Sequence, residues 1–159
     1  MKKLFISILI LIGTFQLSSQ VSLSERQALI DFYNSTNGSS WSEDSNWNTS
    51  LSIPLSDVSD WHGVEVENIS GQDHVVALRL NGNNLSGSIP LSFSNLTQLK
   101  TIYFSSNNLS GTADFSGIVQ NSYTDSLLLN NNNLSSVILD SLTSITANGR
   151  FQVQNNPLL

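Results

Sequence analysis

The stretch that decides the fold is Leu78–Leu85, LRLNGNNL, because the same pattern of residue types returns three more times before the sequence ends. The shared template is apolar-x-apolar-x-x-Asn-x-Leu, and its later copies are Ile102–Leu109, Leu127–Leu134 and Phe151–Leu158. Consecutive copies begin 24, 25 and 24 residues apart, as shown by their asparagines at Asn83, Asn107, Asn132 and Asn156. Self-similarity at such a period predicts a solenoid, in which one short structural unit stacks on the next.

The residue types of the template explain how such units stack. Its two apolar positions are two residues apart, which places both side chains on one face of a β-strand. We expect these pairs to point inward and to pack against their counterparts: Leu78/Leu80, Ile102/Phe104, Leu127/Leu129 and Phe151/Val153. The asparagine follows where the chain turns away, and its amide carries two donors and an acceptor that can satisfy unpaired backbone groups. A structural ladder of the four asparagines is therefore predicted.

The residues after the first template carry a family resemblance. Leu85-Ser-Gly-Ser-Ile89-Pro90, followed by Asn95-Leu96-x-x-Leu99, resembles the plant-type LSGxIP subclass of leucine-rich repeats. The second copy keeps only Leu109-Ser-Gly111, so the subclass pattern weakens along the chain while the strand pattern does not. The resemblance implies an α/β fold, a right-handed curved solenoid with a parallel sheet on its concave side and a helical N-terminal cap.

Three segments are predicted along the chain. Residues 1–20 form a signal peptide, because two lysines precede an apolar run, Leu4–Ile12, that is too short to span a membrane, which takes about 20 residues. An uncleaved membrane anchor is the alternative. Residues 21–74 form the cap, with a helix, a Trp-rich loop and a hairpin strand, and residues 75–159 form about four repeats, the last incomplete. The sequence stops just past the fourth strand, which indicates a fragment of a longer protein or an open end that a partner covers.

The predicted export bears on location. A protein with this signal is secreted or held at the cell surface, with no membrane span after cleavage. The chain contains no cysteine, so it is not a lipoprotein anchored through a lipidated cysteine, and packing alone must hold it together.

The cap shows local signals for each of its parts. Ser22 and Glu25 have the spacing of a capping box at the start of a helix over Glu25–Tyr33, and Asn37-Gly38 ends it. Apolar alternation around residues 70–73 predicts a hairpin that leads into the first repeat strand. The bulky residues between them are Trp41, Trp47 and Trp61. They either plug the open end of the solenoid or stack on sugar rings.

Ala28-Leu-Ile-Asp-Phe32 and Trp61-His-Gly63-Val64 resemble the N-terminal cap of plant-type leucine-rich repeat ectodomains, although Ser59 and Val66 stand where those caps have two cysteines. The segment Phe32–Trp41 is similar instead to exported repeat proteins of Bacteroidetes-type bacteria.

Charge narrows the range of partners. Without residues 1–20 the chain carries 4 basic and 12 acidic residues, and nine of the acidic ones lie between residues 21 and 74 against Arg26 alone. This balance argues against nucleic acid and against anionic lipid, which both require basic patches. The acidic cap is either a solvated surface or a dedicated site for a cation or a basic partner.

No catalytic set is recognisable in the sequence. The chain has two histidines, His62 and His74, and neither stands at a recognisable spacing from a nucleophile and a carboxylate. Zinc sites of the usual ligand sets cannot be assembled from two histidines and no cysteine. We therefore expect no enzyme activity, no metal and no cofactor.

Binding is expected on the concave face, on side chains that alternate with the inward pairs. Its central column is Arg79, Tyr103, Leu128 and Gln152, and Arg150, Asn81 and Asn130 lie beside it. Ala77, Thr101 and Ser126 are expected to point outward next to the column as well. This mixture suits a protein or peptide ligand. The alternatives are a carbohydrate-binding or adhesin module that uses the cap tryptophans, and a structural spacer in a larger surface protein.

Overall fold

The computed structural model describes residues 20–50, 57–116, 118, 124–139 and 145–159. The predicted signal peptide, apart from Gln20, lies outside the described residues. The described part contains one α-helix, α1 (Leu23–Ser35), and eight strands: β1 (Val64–Ile69), β2 (Gln72–Arg79), β3 (Ser86–Gly87), β4 (Thr101–Tyr103), β5 (Asn108–Asp114), β6 (Thr124–Leu128), β7 (Asn133–Ile138) and β8 (Ile145–Gln152). Short 3-10 helices cover Gly38–Ser40, Val58–Asp60 and Leu91–Asn95.

The template strands form one sheet in the order β1-β2-β4-β6-β8. Strands β2, β4, β6 and β8 run parallel, with equivalent template positions paired: Leu78 with Ile102, Ile102 with Leu127, and Leu127 with Phe151. Parallel strands in repeat register, each joined to the next by about one period of chain, make an α/β solenoid. The predicted leucine-rich repeat fold is confirmed. The predicted hairpin is confirmed as well, since β1 pairs antiparallel with β2.

A second sheet, β3-β5-β7, was not foreseen from the sequence. Its strands begin just after the template asparagines, at Ser86, Asn108 and Asn133, and they pair in parallel. Each repeat therefore pairs with its neighbours in two sheets, one formed before and one formed after the turn at the template asparagine.

The inward pairs of the first three repeats are buried. Leu78, Leu80, Ile102, Phe104, Leu127 and Leu129 are at most 3% exposed. The fourth pair differs, because Phe151 is 42% exposed and Val153 is only partly buried. Their strand, β8, is the outer strand of the sheet, so no further strand in the described part of the chain covers them.

Each template asparagine from the second repeat on bonds to the backbone of its own repeat and of the one before. The Oδ1 atom of Asn107 accepts from the N–H groups of Asn83 (2.9 Å) and Leu85 (3.0 Å). Its Nδ2 atom donates to the carbonyls of Leu80 (2.8 Å) and Phe104 (2.9 Å). The Oδ1 atoms of Asn132 and Asn156 accept from the N–H groups of Leu109 and Leu134 in the repeat before. Their Nδ2 atoms donate to backbone carbonyls of both repeats.

The first asparagine joins the repeats to the cap. The Nδ2 atom of Asn83 donates to the Glu43 carbonyl (2.9 Å), and its Oδ1 atom accepts from the Glu43 N–H (2.8 Å). The cap loop therefore occupies the place that a preceding repeat would have. The cap is bonded into the solenoid by the same chemistry that joins one repeat to the next.

The predicted capping box is present at the start of α1, where Ser22 and Glu25 bond reciprocally, and the helix extends two residues beyond each end of the predicted range. Glu25 is only 2% exposed and also accepts from the Val75 N–H (3.2 Å), and its carboxylate lies 3.2 Å from Nδ1 of His74. One carboxylate thus caps the helix and ties it to β2.

The cap tryptophans are buried, at 7% exposure for Trp41, 9% for Trp47 and 2% for Trp61. Their rings follow one another, with centroids 4.9 Å apart between Trp41 and Trp47 and 4.8 Å apart between Trp47 and Trp61. The Arg26 guanidinium lies 4.9 Å from the Trp61 ring centroid. The burial of the three rings favours the interpretation that they plug the open end of the solenoid over the interpretation that they stack on sugar rings.

A glycine marks a close approach between the cap helix and the first repeat. Gly87 has a φ of 111°, and a Cβ atom built on it would lie 2.2 Å from the Ser35 carbonyl oxygen. We expect Gly87→Ala to lower the free energy of unfolding by about 3 kcal/mol, because backbone strain and a backbone clash combine.

Gly71 provides the matched control for that substitution. Its φ is 91°, but a Cβ atom there would meet nothing within 4 Å, so Gly71→Ala isolates the strain at about 1 kcal/mol. Urea unfolding of both variants measures the difference. Equal losses would show that the contact between helix and repeat is not tight.

Candidate binding face

The residues of the predicted central column lie side by side on the solvent side of the five-stranded sheet, the side that the sequence predicts to be concave and that is called the concave face below. Strand pairing sets Arg79 next to Tyr103, Tyr103 next to Leu128, and Leu128 next to Gln152. Their exposure is uneven. Arg79 is exposed and Tyr103 and Gln152 are partly exposed, whereas Leu128 is only 9% exposed between its two longer neighbours. Leu128 therefore offers little contact area.

Arg79 is held in place from two sides. Its Nη2 and Nε atoms donate to the Glu65 carboxylate at 3.0 and 3.3 Å, and its guanidinium lies 5.0 Å from the Tyr103 ring centroid. Burial works to lower the pKa of Arg79, but its side-chain interactions with Glu65 and Tyr103 outweigh burial and raise the pKa. An exposed ion pair contributes little stability, at most about 1 kcal/mol. Its effect here is to fix the orientation of an arginine and a tyrosine that both face solvent.

Sequence reasoning missed Glu65. Its position follows from the register of β1 on β2, which shifts at an irregularity between Glu65 and Val66. A bulge of this kind changes which side of the sheet a side chain reaches, and alternation along a single strand does not reveal it.

The neighbouring row of small residues lies deeper than predicted. Ala77, Thr101 and Ser126 pair in register, and they are 2%, 6% and 6% exposed instead of pointing freely into solvent. Short side chains between rows of long ones form the floor of a depression. Arg150, which pairs with Ser126, is exposed at the end of this row.

The first part of that floor opens into a cleft of about 60 Å³. Lys100 also lines this cleft, and its Nζ atom lies 2.8 Å from the Glu67 carboxylate. The cleft is lined by Glu65, Glu67, Val76, Ala77, Arg79, Lys100, Thr101 and Asp125.

Asn81 and Asn130, which the sequence also assigns to the binding face, are joined through Ser105. The Ser105 N–H donates to Oδ1 of Asn81 at 2.8 Å, and the Ser105 hydroxyl donates to Oδ1 of Asn130 at 2.6 Å. Asn81 is exposed and Asn130 partly exposed. These side chains border the column opposite the cleft and hold each other in position.

The described residues were compared with the pattern of a metal site. They contain no group of three or more His, Cys, Asp or Glu side chains that could hold a metal ion. His74 faces Glu25 at the cap helix, and His62 is exposed in the cap. No helix in the described part of the chain has the length and apolar character that a membrane crossing requires.

Comparison with known proteins finds one family match and similarity to solved structures. The Leucine Rich Repeat family pattern matches residues 74–96, which span most of β2, Asn83 and the first LSGxIP segment. The BIR2 ectodomain from Arabidopsis thaliana is 20% identical with a TM-score of 0.49; the match covers 84% of this chain and 58% of that ectodomain. The leucine-rich repeat ectodomain of the receptor kinase SOBIR1 from Arabidopsis thaliana is 14% identical with a TM-score of 0.38, over 88% and 97% of the two chains. This chain thus spans little more than half of the BIR2 ectodomain.

Proposed function

We propose that this chain is a non-catalytic binding module that recognises a protein or peptide through its concave face. The observation that carries the proposal is the Arg79–Tyr103 pair, which Glu65 holds in one orientation at the centre of the face. Arginine and tyrosine are overrepresented among the residues that dominate binding energy at protein interfaces. Side chains fixed before binding lose less conformational entropy on association, so the pair is suited to bind a ligand.

The shape of the face suits a short extended segment. Four parallel strands at a spacing of about 4.8 Å make a strip roughly 15 Å long. Along that strip the exposed column lies beside the depression floored by Ala77, Thr101 and Ser126. A peptide laid across the strands contacts the column with one side and enters the depression with another.

The alternatives have less support. A carbohydrate site on the cap requires open ring faces, and the three cap tryptophans are buried. A structural spacer requires no preorganised pair on its sheet. We also propose that the protein acts outside the cell, secreted or at the surface, on the basis of the signal-like residues 1–20. The similarity of the cap to exported Bacteroidetes-type repeat proteins belongs to the same proposal.

A peptide library displayed on phage tests the function, because it offers the concave face many extended segments at once. We expect the selected peptides to lose at least about 10-fold in affinity, or about 1.4 kcal/mol, for the double variant Arg79→Ala, Tyr103→Ala. Isothermal titration calorimetry with synthetic peptides measures the loss. An unchanged urea midpoint verifies that the variant is folded.

Leu91→Ala is the control, because Leu91 is 86% exposed in the 3-10 helix Leu91–Asn95 outside the sheet. Its affinity for the same peptides is expected to equal that of the unmodified protein. Peptides that lose affinity for the Leu91 variant and retain it for the double variant would place the site on another face and refute the proposal.

A further inference from the structure

The cleft beside Arg79 has an unequal balance of charge. Two of its carboxylates are already neutralised, since Glu65 pairs with Arg79 at 3.0 Å and Glu67 pairs with Lys100 at 2.8 Å. The third carboxylate, on Asp125, is exposed and forms no ion pair with any described residue. Three carboxylates and two cations leave one net negative charge, and Asp125 is the group free to take a ligand.

The side chain of Thr101, at the floor of the cleft, offers the same ligand a hydrogen-bond acceptor. Thr101 is only 6% exposed, yet it lines the cleft, and no described residue makes a hydrogen bond to its hydroxyl. A hydroxyl without a partner in the protein bonds to water or to a ligand. Because Thr101 lines the cleft, its hydroxyl is available there to accept a hydrogen bond from a ligand.

Size and charge then select the guest. A cleft of about 60 Å³ has room for a compact head group, since a cavity needs at least about 10–15 Å³ on the same measure to hold one water. An ammonium group is compact and carries three donors, whereas a guanidinium is a larger planar fork that needs acceptors in one plane. A carboxylate guest would face the carboxylate of Asp125.

We propose that the cleft binds the ammonium group of a lysine side chain from the partner, with Asp125 supplying the counter-charge and Thr101 accepting a hydrogen bond. The inference rests on the proposed function and assigns a lysine to the recognised segment. The proposal also gives a role to two acidic residues of the cap strand β1. Glu65 and Glu67 pair with Arg79 and Lys100, and so hold these two cations away from the bound ammonium group.

Tetralysine with blocked ends is the probe, titrated into ¹⁵N-labelled protein at low ionic strength and followed by NMR. We expect saturable shifts centred on the amides of Lys100, Thr101 and Asp125. Tetraarginine is expected to bind more weakly, and tetraglutamine to leave these amides unchanged. Shifts that spread over the whole acidic surface, or tighter binding of tetraarginine, would overturn the proposal.

Two variants report on the assigned residues. Asp125→Asn is expected to raise the Kd of tetralysine at least about 5-fold, and Thr101→Val, which replaces the hydroxyl by a methyl group, about 2-fold. Asp60→Asn is the matched control, because it makes the same change of charge on an exposed aspartate in the cap. Equal losses for the Asp60 and Asp125 variants would mean general charge attraction and would refute the lysine site.

The library peptides separate this inference from the proposed function. If they depend on Arg79 and Tyr103, contain an essential lysine and bind less well to Asp125→Asn, both proposals are supported. If they depend on Arg79 and Tyr103 but tolerate loss of every lysine and bind Asp125→Asn unchanged, the lysine site is refuted while the concave face remains the binding surface.

Discussion

Replacing Asn107 by alanine is expected to lower the free energy of unfolding by at least about 3 kcal/mol, because its polar side chain serves four backbone groups at once. Asn107 is 7% exposed, and its amide bonds to two backbone N–H groups and two backbone carbonyls of two adjacent repeats. In the alanine variant the Phe104 carbonyl keeps its bond from Nδ2 of Asn132 (2.9 Å). The other three groups lose these partners, at a cost of about 1–3 kcal/mol each, less whatever entering water restores.

Urea unfolding monitored by circular dichroism measures this loss. The control is Asn108→Ala, one residue further on, because Asn108 is exposed and its amide has one long hydrogen bond, 3.4 Å, to Asn84. We expect the control to stay within about 0.5 kcal/mol of the unmodified protein. Asn107→Asp is expected to be no more stable than the alanine variant, since aspartate keeps the acceptor but loses both donors. Equal stability of the Asn107 and Asn108 alanine variants would contradict a structural role of the asparagine ladder.

Replacing Phe32 by alanine is expected to cost about 4 kcal/mol, within the range found for large aromatic truncations in cores. Phe32 is fully buried, and its ring centroid lies 5.8 Å from that of Trp41, 5.2 Å from Phe93 and 5.1 Å from Phe104. These partners belong to the cap loop, the first repeat and the second repeat. One side chain of α1 therefore joins three segments of the chain, and its loss leaves a cavity at their junction.

Unfolding followed by two probes tests whether cap and repeats form one cooperative unit. Tryptophan fluorescence reports on the cap, which contains all three tryptophans, while circular dichroism reports on the whole chain. We expect coincident transitions for the unmodified protein and for Phe32→Ala, with the variant shifted to lower urea. Leu23→Ala, at a position of α1 that is 67% exposed, is the control and is expected to change little. A cap transition that precedes that of the repeats would show that the cap is not part of the common core.

Much of the fold could be predicted because its signals are local and repeated. Strand positions around Leu78, Ile102 and Leu127 follow from two-residue alternation at a fixed period. Because each repeat stacks on the next, the strands of successive repeats pair into one sheet. The capping box at Ser22 is likewise a contact within one helical turn. The burial of Trp41, Trp47 and Trp61 was one of two interpretations, because composition alone does not distinguish a plugged end from an exposed aromatic surface.

The candidate site was less accessible to sequence reasoning, because it depends on neighbours that are distant in sequence. Alternation predicts that Thr101 and Leu128 face away from the core, but it does not show how far longer side chains on adjacent strands enclose them. The position of Glu65 beside Arg79 depends on the irregular register of the hairpin that β1 and β2 form. The exposed side chains that we assign to the binding face have neighbours that are set by three-dimensional packing.

The most direct test of binding on the concave face is an NMR map of the surface that a selected library peptide contacts on the ¹⁵N-labelled protein. We expect the largest shifts to follow the amides of Arg79, Tyr103, Leu128 and Gln152 across the strands and to extend to Thr101 in the cleft. Shifts confined to the cap loop, or to the side of the solenoid formed by β3, β5 and β7, with the column unchanged, would contradict binding on this face.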